Sequence, residues 1–179
     1  MTYQESITKA MTTLAKHDKS VFLGEGLVNA GRVYGTMDGV PLTKCIEFPI
    51  AENLIVGSAI GLAITGFKPI VVFQRMDFMT CACDAIVNHL SIIPKMSGGR
   101  VKLPVIIRAI IGSRCKKFEL GLQHNKDLTE MFKPWIYTIV LNGKKSIDKC
   151  YQLAYKADSP TLIVEDKSLY ERNYIPSRH

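Results

Sequence analysis

The sequence predicts an α/β domain: a single doubly wound, mostly parallel sheet of six strands with helices on both faces. Three observations predict it. Short runs of β-favouring apolar residues alternate along the chain with longer stretches of helical periodicity. The length, 179 residues, fits one domain with a full-sized core plus a short tail. No internal repeat, low-complexity segment or linker interrupts the alternation. The expected organisation is one domain over residues 1–168 and a polar tail over 169–179.

The elements follow in order. Thr2 and Glu5 form a T-x-x-E capping box, and Tyr3, Ile7, Met11 and Leu14 recur behind it at helical spacing. A helix therefore opens the chain and should end near His17. Residues 20–24 read as a short buried strand, and a glycine-bearing loop runs from Glu25 to about Leu42. That loop holds neither GxxxxGK nor GxGxxG, so it is not a phosphate loop. Residues 44–48 are strand-like, and 51–65 form a helix rich in small residues, closed by Gly66. A strand over 69–73 leads to a long helix over 77–93, which Pro94 and Ser97-Gly98-Gly99 terminate. Residues 103–108 are a strand, followed by a long loop to about Asn125. A short helix over 126–132, a strand over 136–141, a helix over 146–157 and a strand over 161–165 complete the series. Ligands in such sheets sit at the carboxyl ends of the strands. The loops beginning at Glu25, Pro49, Gln74, Ala109 and Asn142 should therefore surround the site.

Composition narrows the function. Basic residues outnumber acidic ones by 23 to 16, a net charge of +7, which could steer an anionic partner or ligand. They are scattered, with only short runs such as Lys116-Lys117 and Lys144-Lys145, and no zinc-finger spacing accompanies them. A solvated basic surface is the expectation, without nucleic-acid binding. The cysteines number five (Cys45, Cys81, Cys83, Cys115 and Cys150), with no CxxC pair and no secretory stretch before them. Reduced thiols in a cytoplasmic protein are expected. Cys81 and Cys83 fall two apart on a helix, where side chains diverge, so no metal site is expected there. No apolar run reaches the roughly 18 residues of a membrane span.

One segment carries more than periodicity. Phe48-Pro49-Ile50-Ala51-Glu52-Asn53-Leu54-Ile55-Val56-Gly57 resembles the stretch holding the catalytic glutamate in beta subunits of pyruvate and branched-chain 2-oxoacid dehydrogenases. Val21-Phe22-Leu23-Gly24-Glu25 is similar to that family's first strand and its glutamate. Gly66-Phe67-Lys68-Pro69-Ile70 is similar to its next strand, and Phe78 with Asp84-Ala85-Ile86-Val87-Asn88 to the helix after it. Met96-Ser97-Gly98-Gly99, Pro104-Val105-Ile106-Ile107-Arg108, Gln123-His124 and Pro160-Thr161-Leu162-Ile163-Val164-Glu165 continue the series in the family's order. The resemblance covers nearly the whole chain and extends to the broader transketolase-like pyrimidine domain. It implies the thiamine-diphosphate-binding fold of the pyrimidine type.

The resemblance also implies roles. Glu52 would bond the pyrimidine ring nitrogen and favour the imino tautomer through which the cofactor activates itself; as a first-turn helix acid it would also suit the helix dipole. Glu25 would be a neighbour of Glu52 near the cofactor or an interface residue, or else a plain loop acid. Phe78 would pack its ring on the aminopyrimidine, unless it is ordinary core. His124 would meet the substrate carboxylate or carbonyl, its imidazole being able to donate or accept a proton near neutral pH. Arg114, Lys116 and Lys117 stand where the dehydrogenases have small residues. They could hold a phosphate or carboxylate in the substrate channel, or form a solvated loop.

The family's metal and diphosphate segment, Gly-Asp-Gly with a later asparagine, has its nearest match in Met37-Asp38-Gly39, which lacks the strand-loop-helix context. Thiamine diphosphate is thus the expected cofactor. Its diphosphate and Mg2+ should be held by a diphosphate-binding alpha-type subunit, most simply in a heterotetramer. The dehydrogenase beta subunits are nearly twice as long and carry a further C-terminal domain that docks on a lipoyl acyltransferase. That difference leaves open a split transketolase or carboligase half that transfers a two-carbon unit to a diffusible acceptor. A non-catalytic binding module that kept the fold is a further alternative.

Overall fold

The computed structural model describes residues 1–29, 31–112 and 121–174. Its strands are β1 (Ser20–Gly24), β2 (Cys45–Glu47), β3 (Lys68–Phe73), β4 (Ile106–Ile111), β5 (Tyr137–Leu141) and β6 (Thr161–Asp166). Its α-helices are α1 (Tyr3–Ala15), α2 (Glu52–Ile64), α3 (Ile93–Met96), α4 (Thr129–Phe132) and α5 (Ile147–Lys156). The six strands form one sheet in the order β2-β1-β3-β4-β6-β5, and every pairing is parallel.

Alternation along the strands divides the core. Phe22, Ile70, Val72, Ile106, Ile110 and Ile163 face one layer, where α1 packs against α5. Leu23, Val71, Phe73, Ile107, Leu162 and Val164 face the other, which α2 and the segment after β3 cover. Both faces of the central strands are therefore dry, which accounts for their unbroken Val/Ile runs. The capping box of α1 forms as expected: the Thr2 hydroxyl accepts from the Glu5 N–H at 3.1 Å, and the Glu5 carboxylate accepts from the Thr2 N–H at 2.7 Å.

Three elements depart from expectation. The helix expected over 77–93 is not regular: 3-10 turns run from Met76 to Ala82 and a π-helical segment from Ala85 to Leu90. The Asn53 side chain accepts the Ala85 N–H at 3.1 Å, so a side chain from α2 has inserted into the backbone ladder. The fourth strand lies three residues later than expected, because Pro104 has no N–H to give a ladder and Arg108, which resembled a strand end, lies inside the strand. The helix expected over 126–132 is the single turn α4. Residues 169–174, read in the sequence as the start of a polar tail, pack on the fold: Tyr170 and Tyr174 are buried beside Tyr3 of α1, and Thr2 bridges to Asn173. Among the described residues no helix is long and apolar enough to cross a membrane.

Candidate functional site

A cleft of about 250 Å³ opens at the carboxyl ends of β1 and β3, lined by Glu25, Tyr34, Glu52, Arg75, Phe78 and His124 together with Val72, Phe73 and Gln74. It brings together four of the residues singled out in the sequence: Glu25, Glu52, Phe78 and His124. Arg114, Lys116 and Lys117 lie outside the described residues.

Each wall has a local cause. Glu52 is the first residue of α2 and is only 7% exposed, so the helix start brings a carboxylate into an apolar setting. Among the described residues no donor engages that carboxylate. Glu25 follows β1 on a loop that Glu47 of β2 fixes, its carboxylate accepting the N–H groups of Leu27 at 2.8 Å and Val28 at 3.1 Å. Gln74, just past β3, donates to the Glu25 carbonyl at 2.7 Å. Gly26 lies at φ +68°, left-handed backbone that favours glycine, and a Cβ there would fall 2.3 Å from the Gln74 side-chain amide and push that side chain away from the Glu25 carbonyl. Burial pushes the Glu25 carboxyl pKa up, and the nearby Glu52 and Glu47 charges push it further.

The opposite wall carries aromatic and basic groups. Phe78 and His124 rings sit 5.5 Å apart at 60°. His124 ends a short turn entered through Gly121, and Gly112, just past β4, lies so close that a Cβ there would be 1.8 Å from the His124 carbonyl oxygen. Among the described residues the His124 Nδ1, Asp77 Oδ2 and Asn125 Oδ1 atoms are buried without a hydrogen-bond partner, while Asp77 Oδ1 accepts the Lys126 N–H at 3.2 Å. Buried polar atoms left open beside a cleft are what a bound ligand or a partner would satisfy. Among the described residues no group of three His, Cys, Asp or Glu side chains is placed to hold a metal ion.

Several participants were not singled out in the sequence. Tyr34 lies in a left-handed turn in which Arg32, Val33 and Tyr34 have φ of +29°, +52° and +57° between Gly31 and Gly35. Such backbone costs energy for residues with a Cβ and persists only where surroundings impose it. The Arg32 guanidinium does so by donating to the carbonyls of Leu27 at 2.9 Å and Val40 at 2.8 Å. Behind the turn, Arg108 donates to Thr36 at 2.7 Å and makes a bidentate pair with Glu165, both bonds 2.8 Å and both side chains fully buried. Tyr170 at 2.8 Å and Tyr151 also donate to Glu165. Burial first, then the Glu165 charge, raises the pKa of both phenols. Opposite charges inside two apolar strands, two residues apart in register, were the available sign of this network.

Comparison with known proteins settles the family. A family described as the transketolase pyrimidine-binding domain matches residues 1–172. The chain belongs to that family. As a pyrimidine-binding domain it is 29% identical to the pyruvate dehydrogenase E1 component subunit beta of Chaetosphaeridium globosum, over 94% of this chain and 53% of that protein. It is 28% identical to the mitochondrial E1 subunit beta of Saccharomyces cerevisiae, over 97% of this chain and 49% of that one. It is also 28% identical to the acetoin:2,6-dichlorophenolindophenol oxidoreductase subunit beta of Cupriavidus necator, over 93% of this chain and 52% of that one. The chain thus spans about half the length of the curated relatives it matches. Among solved structures, a split-gene transketolase described as an inactive beta4 tetramer has a TM-score of 0.68 at 19% identity, covering 98% of this chain and 53% of that one. Transketolase from Campylobacter jejuni gives 0.70 at 17% identity, covering 91% and 25%. These two show the shared fold.

Proposed function

We propose that this pyrimidine-binding domain is the beta-type half of a two-chain thiamine-diphosphate-dependent enzyme acting on a 2-oxo acid or a ketose. The observation that carries the reading is the buried Glu52 carboxylate, unengaged by any described donor, facing a cleft that also presents the flat ring of Phe78. These residues fit an aminopyrimidine: an apolar aromatic face for the ring and a carboxylate for a ring nitrogen. When bound, thiamine diphosphate would supply a nucleophilic carbon and a sink for the electron pair of the C–C bond beside the substrate carbonyl. Glu52 sets its carboxyl oxygen where it would hydrogen-bond the pyrimidine nitrogen. Phe78 orients the ring. His124, at the same cleft, donates or accepts a proton at the substrate carbonyl oxygen or meets its carboxylate.

The diphosphate and its Mg2+ belong to an alpha-type partner, in a heterotetramer of two of each chain. What supports this is the kinship with proteins named as beta subunits. The test is the assembled pair with its cofactor, followed by proton–deuterium exchange at the thiazolium C2. Glu52→Gln keeps shape and removes the ionisable group, and exchange should fall by orders of magnitude. Exchange that stays at the wild-type rate overturns the reading.

A further inference from the structure

We propose that Arg75 is the recognition group for an anionic substituent on the substrate, a carboxylate or phosphate borne at the end away from the reacting carbonyl. The inference rests on the cleft being the catalytic site argued above.

Arg75 follows Gln74 at the carboxyl end of β3 and lines the same cleft as Glu52, Phe78 and His124. Its guanidinium carbon lies 5.0 Å from the centre of the Tyr34 ring, and one of its nitrogens donates to the Gln74 carbonyl at 2.7 Å. That bond and that stack fix the plane of the fork and leave its other N–H groups available. Among the described residues Arg75 forms no ion pair. The nearby carboxylate of Asp77 turns one oxygen to the Lys126 backbone, and its other oxygen has no hydrogen-bond partner among the described residues.

A second cation sharpens the point. The Lys167 ammonium lies 3.6 Å from the centre of the same Tyr34 ring. Burial lowers the pKa of each cation, and the Arg75 charge lowers that of Lys167 further. Burial disfavours the Arg75 charge, whose one hydrogen bond among the described residues goes to a carbonyl, and an anion would relieve that cost. Tyr34 itself is held in strained left-handed backbone by the Arg32 and Arg108 contacts, so the wall is set before a ligand arrives.

Chemistry decides which anion. In a decarboxylation the C1–C2 bond breaks, the electron pair stays on C2 and neutral carbon dioxide leaves. A guanidinium paired with that carboxylate would hold the reactant more tightly than the transition state and slow the step. The anion that gains from Arg75 is therefore one that survives the reaction. A ketose offers only a terminal phosphate; a 2-oxo acid offers a second carboxylate.

The test uses the assembled enzyme with its cofactor and two kinds of matched pair. Non-reacting pairs, glycerol 3-phosphate against glycerol and glutarate against butyrate, are titrated in a calorimeter. Reacting pairs, a phosphorylated against an unphosphorylated ketose and 2-oxoglutarate against 2-oxobutyrate, are compared by kcat/KM. The phosphate and carboxylate arms separate the two sources. At least one member bearing the distal anion should exceed its counterpart lacking that group by about 10- to 100-fold, the range of a charge-assisted hydrogen bond. Arg75→Gln should bring that ratio near one, and Arg75→Lys, which keeps charge without the fork, should retain part of it. Exchange at the cofactor C2 in the same preparations, abolished by Glu52→Gln, tests the catalytic reading separately. Wild-type ratios near one, ratios unchanged in Arg75→Gln, no binding or turnover of any distally anionic compound, or a loss confined to cofactor affinity would each overturn the assignment.

Discussion

At the scale of single residues, Arg108 shows how a charge can sit wholly inside a sheet. It lies midway along β4, surrounded by isoleucines, and survives because it donates to Glu165 on β6 through two bonds and to Thr36, while Tyr151 and Tyr170 donate to the Glu165 carboxylate. Burial works against the guanidinium charge, but Glu165 outweighs it and raises the Arg108 pKa. Removing one partner is the costly change: Arg108→Met should destabilise the fold by about 3–5 kcal/mol in denaturant melts, because Glu165 is left buried and unpaired. Adding Glu165→Leu should recover much of that loss; a double variant no more stable than the single one refutes the pairing argument. Glu25 gives the opposite case. Its pKa is raised in the folded state, so its protonated form suits the fold, and the stability it contributes at low pH is lost as pH rises through the raised value. Glu25→Gln should therefore melt at a higher temperature than the parent near neutrality and converge with it below about pH 4, where both side chains are neutral. Equal melting temperatures across that range would deny the strain between Glu25, Glu52 and Glu47. The sequence made Glu52, Phe78 and His124 legible through motif order. Arg75 and Tyr34 were not, because a stacked cation on a strained turn has no fixed spacing.

At the scale of elements, what could be read was periodicity and what could not was interruption. The strands at 20–24 and 161–166 and the helices α1, α2 and α5 follow from local pattern and fall within a few residues of expectation. The segment after β3 has helical periodicity too, yet its ladder is broken by Asn53, which is far away in sequence. β4 looked shorter on its carboxyl side because Arg108 resembled an end, when its partner lies on β6. The turn bearing His124 depends on the same kind of distant fit. Gly112 leaves no room for a Cβ against the His124 carbonyl, so Gly112→Ala should push the turn at 121–125 outward. Hydrogen exchange should speed up in that turn while the strands stay protected. Substrate turnover should fall because His124 leaves the cleft, with exchange at the cofactor C2 less affected. A crystal structure of the variant with the turn unmoved contradicts this.

At the scale of the whole molecule, the fold class was legible because alternation of strand and helix is local, whereas the strand order β2-β1-β3-β4-β6-β5 depends on long-range pairing. The larger issue is what the molecule leaves uncovered. Ile50, two residues before Glu52, is 84% exposed, and α2 is apolar all round although only one side of it faces the core. Its outer side shows Leu54, Gly57, Gly61 and Ile64, positions that recur at helical spacing, and nothing lies within 4 Å of a Cβ at either glycine. Glycine in an exposed helix interior costs roughly 0.8–1 kcal/mol relative to alanine, so the isolated chain gains nothing from having two. A partner whose backbone approaches α2 closely would make them necessary. Gly57→Ala and Gly61→Ala should therefore raise the melting temperature of the isolated chain. Gly57→Leu and Gly61→Leu should fold equally well but fail to assemble with the diphosphate-binding chain, measured by native mass spectrometry, and should lose tight Mg2+-dependent cofactor binding in calorimetry. Leucine variants that assemble and bind the cofactor at wild-type strength would show that α2 is not where the two chains meet.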